Sequence, residues 1–133
     1  MNLLSTHPVK KSDLGFHGNL FGGKLLSWLD AAVAAYAMER CRSQNMITIA
    51  MDKCVFKKPA KEKQLVKIYA QLVKIGNTSA TFNVEARAYN VFRGDEVVLL
   101  ATNMTFVRVD EEGVPIPISE QVKRIFNTPP SKL

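Results

Sequence analysis

One carboxylate, Asp30, stands in a run of apolar and small residues, KLLSWLDAAVAAYAMER over 24–40. Burying a carboxylate is costly unless it is paired or hydrogen-bonded. Asp30 therefore reads in two ways. It makes a structural hydrogen bond or turns to solvent, or it lines a site as a reactive group. Gly22-Gly23 precedes it, at the end of the loop Gly18-Asn19-Leu20-Phe21. Paired glycines permit tight turns and let a ligand approach the backbone closely. The first amides of a helix lack intrahelical acceptors and carry the positive end of the dipole. They suit an anion or a developing oxyanion. Gly22 and Gly23 as oxyanion donors and Asp30 as a base or nucleophile then lie along one element.

These residues need elements to hold them. Leu, Ala and Met favour helix over 24–40, and no Gly or Pro interrupts the segment. It is apolar nearly all round, which predicts a helix enclosed by a strongly curved sheet or by a partner subunit. Upstream, residues 1–7 suit a short strand that Pro8 ends or places at a sheet edge. Downstream, strands are expected over 47–56, 65–75, 79–92 and 97–109, with turns at Gly76-Asn77 and Arg93-Gly94-Asp95. Ala80, Phe82, Val84, Ala86 and Ala88 alternate with polar residues and define one buried face. A short helix over 119–127 has Ser119 as its N-cap. Strands joined by short turns make an antiparallel sheet, and one long helix against it makes the class α+β.

The chain has 133 residues, 47% of them hydrophobic, enough for one packed domain and against disorder. Eighteen basic and twelve acidic side chains leave a charge of +6, compatible with an anionic partner. The basic residues form no single stripe and no nucleic-acid motif, so nucleic-acid binding is not expected. Two cysteines, Cys41 and Cys54, make neither a disulfide framework nor a metal site and fit a reducing, cytoplasmic setting. No signal peptide or membrane span is expected.

The segment GNLFGGKLLSWLDAA closely resembles the signature of hotdog-fold acyl-CoA thioesterases of the cytosolic acyl-CoA hydrolase branch. ITIAMDKCVFKKP resembles the strand that follows the helix in that family, VKIGNTSATFNVEARAYN its next hairpin, and ATNMTFVRVDEEGVPIPI its last strand and tail. The resemblance implies a sheet wrapped round the helix, dimers with a continuous sheet, sites at the dimer interface, and trimers of such dimers forming a hexamer. It places Asp30 at the catalytic carboxylate, and Gly22 and Gly23 where amides polarise the thioester carbonyl. Many relatives carry Asn at the position of Gly15. Here its role is missing or passes to His17 or Asn19, the nearest candidates.

Coenzyme A is part of the implied substrate, and no separate cofactor is expected. Its phosphates call for donors, offered by Lys57 and Lys58, with Lys61 and Lys63 nearby, or by Asn77, Thr78 and Ser79 at a hairpin that can form an anion nest. Phe21 in the pre-helix loop is a further substrate contact. Thr48 could orient water or substrate, though it also reads as an ordinary strand threonine, and Asp52 reads as structural. Two alternatives stay open. His17 paired with Asp30 suggests a hotdog dehydratase, although the proline-rich loop usual there is absent. A non-catalytic acyl-CoA sensor would keep the pocket without turnover. His7 carries no functional signal.

Overall fold

The computed structural model describes residues 1–128. The chain runs β1 (Asn2–Pro8), a 3-10 turn (Lys11–Asp13), α1 (Gly22–Cys41), β2 (Met46–Phe56), β3 (Leu65–Ile75), β4 (Ser79–Tyr89), β5 (Glu96–Arg108) and α2 (Glu120–Asn127). The strands form one antiparallel sheet in the order β1-β3-β4-β5-β2, and α1 packs on one face. This is the α+β class expected, an antiparallel sheet packed against one long helix. The alternating residues of β4 from Ala80 to Ala88 are all buried beneath α1. The strand stops at Tyr89, short of the expected residue 92. There the Asn90 side chain accepts from the amides of Phe92 and Arg93 (2.9 and 3.1 Å) and bends the chain into a turn. Ser119 caps α2, its hydroxyl accepting from the Val122 amide at 3.2 Å.

The order of strands departs from a simple run of hairpins. β2 and β3 are not neighbours: β2 lies at one edge beside β5, and β3 lies between β1 and β4. Residues 57–64 cross between them, past the start of α1. The crossover is tied down where Ala60 O accepts from Leu20 N (2.8 Å), Gln64 O from Val9 N (2.9 Å) and Val9 O from Lys63 N (2.9 Å).

The helix is also not enclosed within one chain. It buries Leu25, Leu29, Val33, Tyr36, Ala37 and Cys41. Gly23, Ser27, Asp30, Ala31, Ala35 and Met38 form an exposed stripe on its other side. That stripe consists mostly of small residues, which is why the sequence showed no polar face. A single sheet covers a single side of the helix. Edge strand β2 is exposed beside it, including Ile47, Ile49, Val55 and Phe56. Its pairing with β5 slips at Ile49 and again at Lys53-Cys54, one extra β2 residue each time. Lys53 takes φ 34° there. Bulges bend a strand, and β2 ends with the Phe56 ring against Gly22, 3.4 Å from where a Cβ would stand. Among the described residues no helix is long and apolar enough to cross a membrane.

His7, silent in the sequence, stacks on Trp28 of α1 with ring centroids 4.5 Å apart and planes 7° from parallel. Its Nε2 hydrogen-bonds Ser5 Oγ at 2.9 Å. Burial holds its pKa below the ordinary 6.5, against the opposing pull of Asp13. The folded chain thus takes up a proton here less readily than the unfolded one. This contribution to stability is whole above pH 6.5 and declines as pH falls toward the lowered folded value. Thermal melts between about pH 7.5 and about pH 5 should show a steeper fall in Tm for the parent chain than for His7→Gln. Parallel Tm profiles would show that His7 is not the titrating group.

Candidate active site

The loop ahead of α1 is held by a buried acid the sequence did not single out. Asp13 is 3% exposed. Its Oδ2 accepts from the Lys10 amide at 2.9 Å, its Oδ1 lies 3.8 Å from Lys24 Nζ, and its carbonyl accepts from the Phe21 amide at 2.9 Å. One residue therefore closes the 3-10 turn and fastens the loop's return to the helix. The only sequence signal was an acid three residues after Lys10, where its carboxylate can reach back to that amide.

Between these anchors the chain folds on itself. Gly15 N donates to Asn19 O (2.8 Å) and Gly18 N to Gly15 O (3.0 Å), with Gly18 at φ 85°. The His17 ring folds back over Gly15. A Cβ on Gly15 would stand 3.1 Å from His17 Nε2, tighter than nine in ten real contacts. His17 Nδ1 accepts from the Asn19 amide at 3.2 Å. The ring thus occupies the space beside the backbone where any side chain at Gly15 would begin.

At the helix start, Phe21 is the N-cap and its carbonyl receives the amides of Lys24 (3.0 Å) and Leu25 (3.1 Å). The amides of Gly22 and Gly23 come before these first helical bonds, in the positions that have no acceptor a turn earlier. A Cβ on Gly23 would approach the Phe21 ring to 2.7 Å. Glycine there lets Phe21, itself 56% exposed, lie across the first turn.

The loop, the helix start and the crossover enclose a cleft of about 410 Å³. His17, Asn19 and Gly22 line one side, Lys57 and Lys58 the other, and Leu25, Phe56 and Leu99 supply apolar wall. Leu99 reaches it because β5 slips by one residue against β4 between Ala86 and Arg87. Lys57 is fixed by donating its amide to Leu99 O at 2.7 Å. Five of the residues singled out from the sequence thus meet at one cleft, drawn from three segments.

Asp30 is elsewhere. It lies on the exposed stripe of α1, outside the cleft lining. Thr48 Oγ1 donates to its Oδ1 at 2.7 Å. The threonine that reads as ordinary strand is therefore the partner of the candidate carboxylate. Eight helical rises separate Gly22 from Asp30, ~12 Å along the axis. His17 lines the cleft that Asp30 does not, so one chain does not form the His17–Asp30 pair of a dehydratase. Asp52 is exposed on edge strand β2.

The hairpin Asn77-Thr78-Ser79 is also apart. Ser79 pairs with Val107, whereas the cleft borders Leu99 on the same strand. Eight residues of strand put them about 27 Å apart. Asn77 instead serves α2: its carbonyl accepts from Ile118 N (2.8 Å) and its Oδ1 from Lys123 Nζ (3.0 Å). Thr78 O accepts from Arg108 N at 2.9 Å. Among the described residues there is no cluster of three or more His, Cys, Asp or Glu able to hold a metal ion.

Residues 17–91, from the cleft histidine to the start of the turn after β4, match the family model described as Thioesterase superfamily. The chain belongs to the thioesterase superfamily. The hexameric hotdog-fold thioesterase Cj0915 of Campylobacter jejuni superposes on this superfamily member with a TM-score of 0.84 and 33% identity, over 95% of this chain and 96% of that one. An acyl-CoA hydrolase of Staphylococcus aureus, solved in complex with butyryl coenzyme A, coenzyme A and coenzyme A disulfide, gives 0.79 and 26% over 96% and 80%. The acyl-CoA thioester hydrolase YciA of Salmonella typhimurium is 29% identical over 113 residues, covering 83% of this chain and 84% of its own. The fold of this thioesterase-superfamily chain is accordingly the hotdog, as the helix signature implied.

Proposed function

We propose that this chain hydrolyses acyl-CoA thioesters to free coenzyme A and a carboxylic acid. The observation that carries the reading is Asp30, a carboxylate oriented by Thr48 on the helix whose first amides are free. Hydrolysis needs a nucleophile on one side of the thioester carbon and donors about 3 Å from the oxygen on the other. Asp30 is the general base for water or attacks directly to form an anhydride that water opens. Gly22 and Gly23 receive the oxyanion. Coenzyme A is consumed as part of the substrate, and the reaction needs no cofactor.

A span of ~12 Å is too long for Gly22 and Asp30 of one helix to act on one carbonyl. The site is therefore composite, with Asp30 of one protomer opposite the helix start of its partner. A single two-fold axis accomplishes this. Thr48 lies beside Asp30 and Phe56 beside Gly22, so α1 and β2 share a midpoint near Ser27 and Asp52. A two-fold there pairs the β2 edges into one sheet and stacks the small-residue stripes of the two helices. It also carries the partner's far end, with its Asn77-Thr78-Ser79 hairpin, toward the cleft end of this chain. Lys57 and Lys58 then hold coenzyme A phosphates at the cleft, and the partner's hairpin supplies further donors. Hexameric relatives support a further step, three such dimers in one hexamer.

The test is free-thiol release from a panel of acyl-CoAs of graded chain length. Thiol release on at least one of them is expected. No release on any member would overturn the reading. An enoyl product from a 3-hydroxyacyl-CoA with no free thiol would identify a dehydratase, and tight acyl-CoA binding without turnover a sensor.

A further inference from the structure

We infer that His17 donates its Nε2 hydrogen to the thioester carbonyl oxygen, as a side-chain donor acting beside the amides of Gly22 and Gly23; this rests on the acyl-CoA hydrolase reading. Three features carry it. The ring lines the same cleft as Gly22. The Asn19 amide donates to Nδ1, so in the neutral ring Nδ1 holds the lone pair and the hydrogen belongs to Nε2. Nε2 is then a donor with no lone pair to take a proton. That separates His17 from the general base a dehydratase would require at this place.

The third feature is Gly15. The ring lies close over Gly15, where a Cβ would stand 3.1 Å from Nε2 and the ring would have to give by a few tenths of an ångström. The tight turn closed by Gly18 N and Gly15 O brings residue 17 back over residue 15. Gly15 and His17 thus act as a pair, one vacating a space and the other filling it with a preset donor. Preorganised donors of this kind cost no reorganisation when charge develops on the oxygen.

The experiment is a double-mutant cycle on the full chain, read by thiol release and by the imidazole nitrogen shifts of His17. His17→Ala should lower kcat ~10²–10³-fold, with KM changed only a few-fold. His17→Gln, which keeps an N–H donor, should lose less. Gly15→Ala should lower kcat by displacing the ring, and should add nothing in a His17→Ala background. The nitrogen shifts should report the Nε2–H form in the parent chain. A His17→Ala variant within twofold of the parent in kcat would overturn the inference while the hydrolase reading stands. So would independent, multiplying effects of Gly15→Ala and His17→Ala, or the opposite tautomer. A parent chain inactive on every acyl-CoA would overturn the hydrolase reading, and the inference with it.

Discussion

Asp30→Asn should release thiol from acyl-CoA ~10²–10⁴-fold more slowly than the parent chain, with the same melting temperature. The substitution is nearly isosteric. An asparagine oxygen still accepts from Thr48 Oγ1, so the tie between α1 and β2 survives. What is lost is the negative charge and its basic lone pairs, which both the general-base and the nucleophilic routes require. The residue is exposed in the single chain, so no buried charge is being removed. Initial rates at saturating acyl-CoA, with a thermal melt beside them, separate a chemical loss from a folding one. Full activity in Asp30→Asn would take Asp30 out of the mechanism even if the chain remains a hydrolase. Thr48→Val tests the orienting bond alone and should cost less than the loss of the carboxylate.

The second large effect concerns the amide at Gly22. Gly22→Pro deletes one N–H and nothing else that the helix uses. Proline is well suited to the first helical position, and Phe21 before it already has φ −64° and ψ 129°, in the extended region a following proline prefers. The variant should fold and assemble yet lose ~10²–10³ in kcat if that amide faces the oxyanion. Asp30→Asn and Gly22→Pro are then both nearly inactive, by damage to opposite halves of one composite site. Dissociating and remixing them in equal amounts should restore about a quarter of the parent rate. Half the dimers are then mixed, and each mixed dimer has one intact site and one doubly damaged. No recovery on mixing, with mixed dimers demonstrated by mass, would show that Asp30 and Gly22 serve the same chain's site.

Much of this organisation was legible in the sequence because it is local. β4 announced itself by alternation from Ala80 to Ala88, and the structure buries every one of those residues. Ser119 was legible as a cap because the cap bond spans three residues. What was hidden depends on residues far apart in the chain. Asp13 takes its role only from the loop that returns Phe21 to its carbonyl. Thr48 gained its meaning from Asp30, eighteen residues before it. The crossover at 57–64 was unreadable because nothing in short turns says which strands a longer segment connects. That the chain's own sheet covers only one side of α1 was hidden for a simpler reason. Gly23, Ala31 and Ala35 count as apolar or neutral, yet small residues also mark a surface another helix can approach closely.

The two margins of the sheet are unlike. β2 offers a long exposed row with apolar side chains, whereas β1 is seven residues, slips its register between Leu3 and Ser5, and ends on Pro8, which has no amide to donate. A strand that pairs with its own copy about a two-fold is consumed on both sides at once. The outer margins left behind are then two copies of β1, which make poor templates. In the proposed dimer, growth by strand addition stops at a pair, and the fold carries its own protection against running on into a fibre.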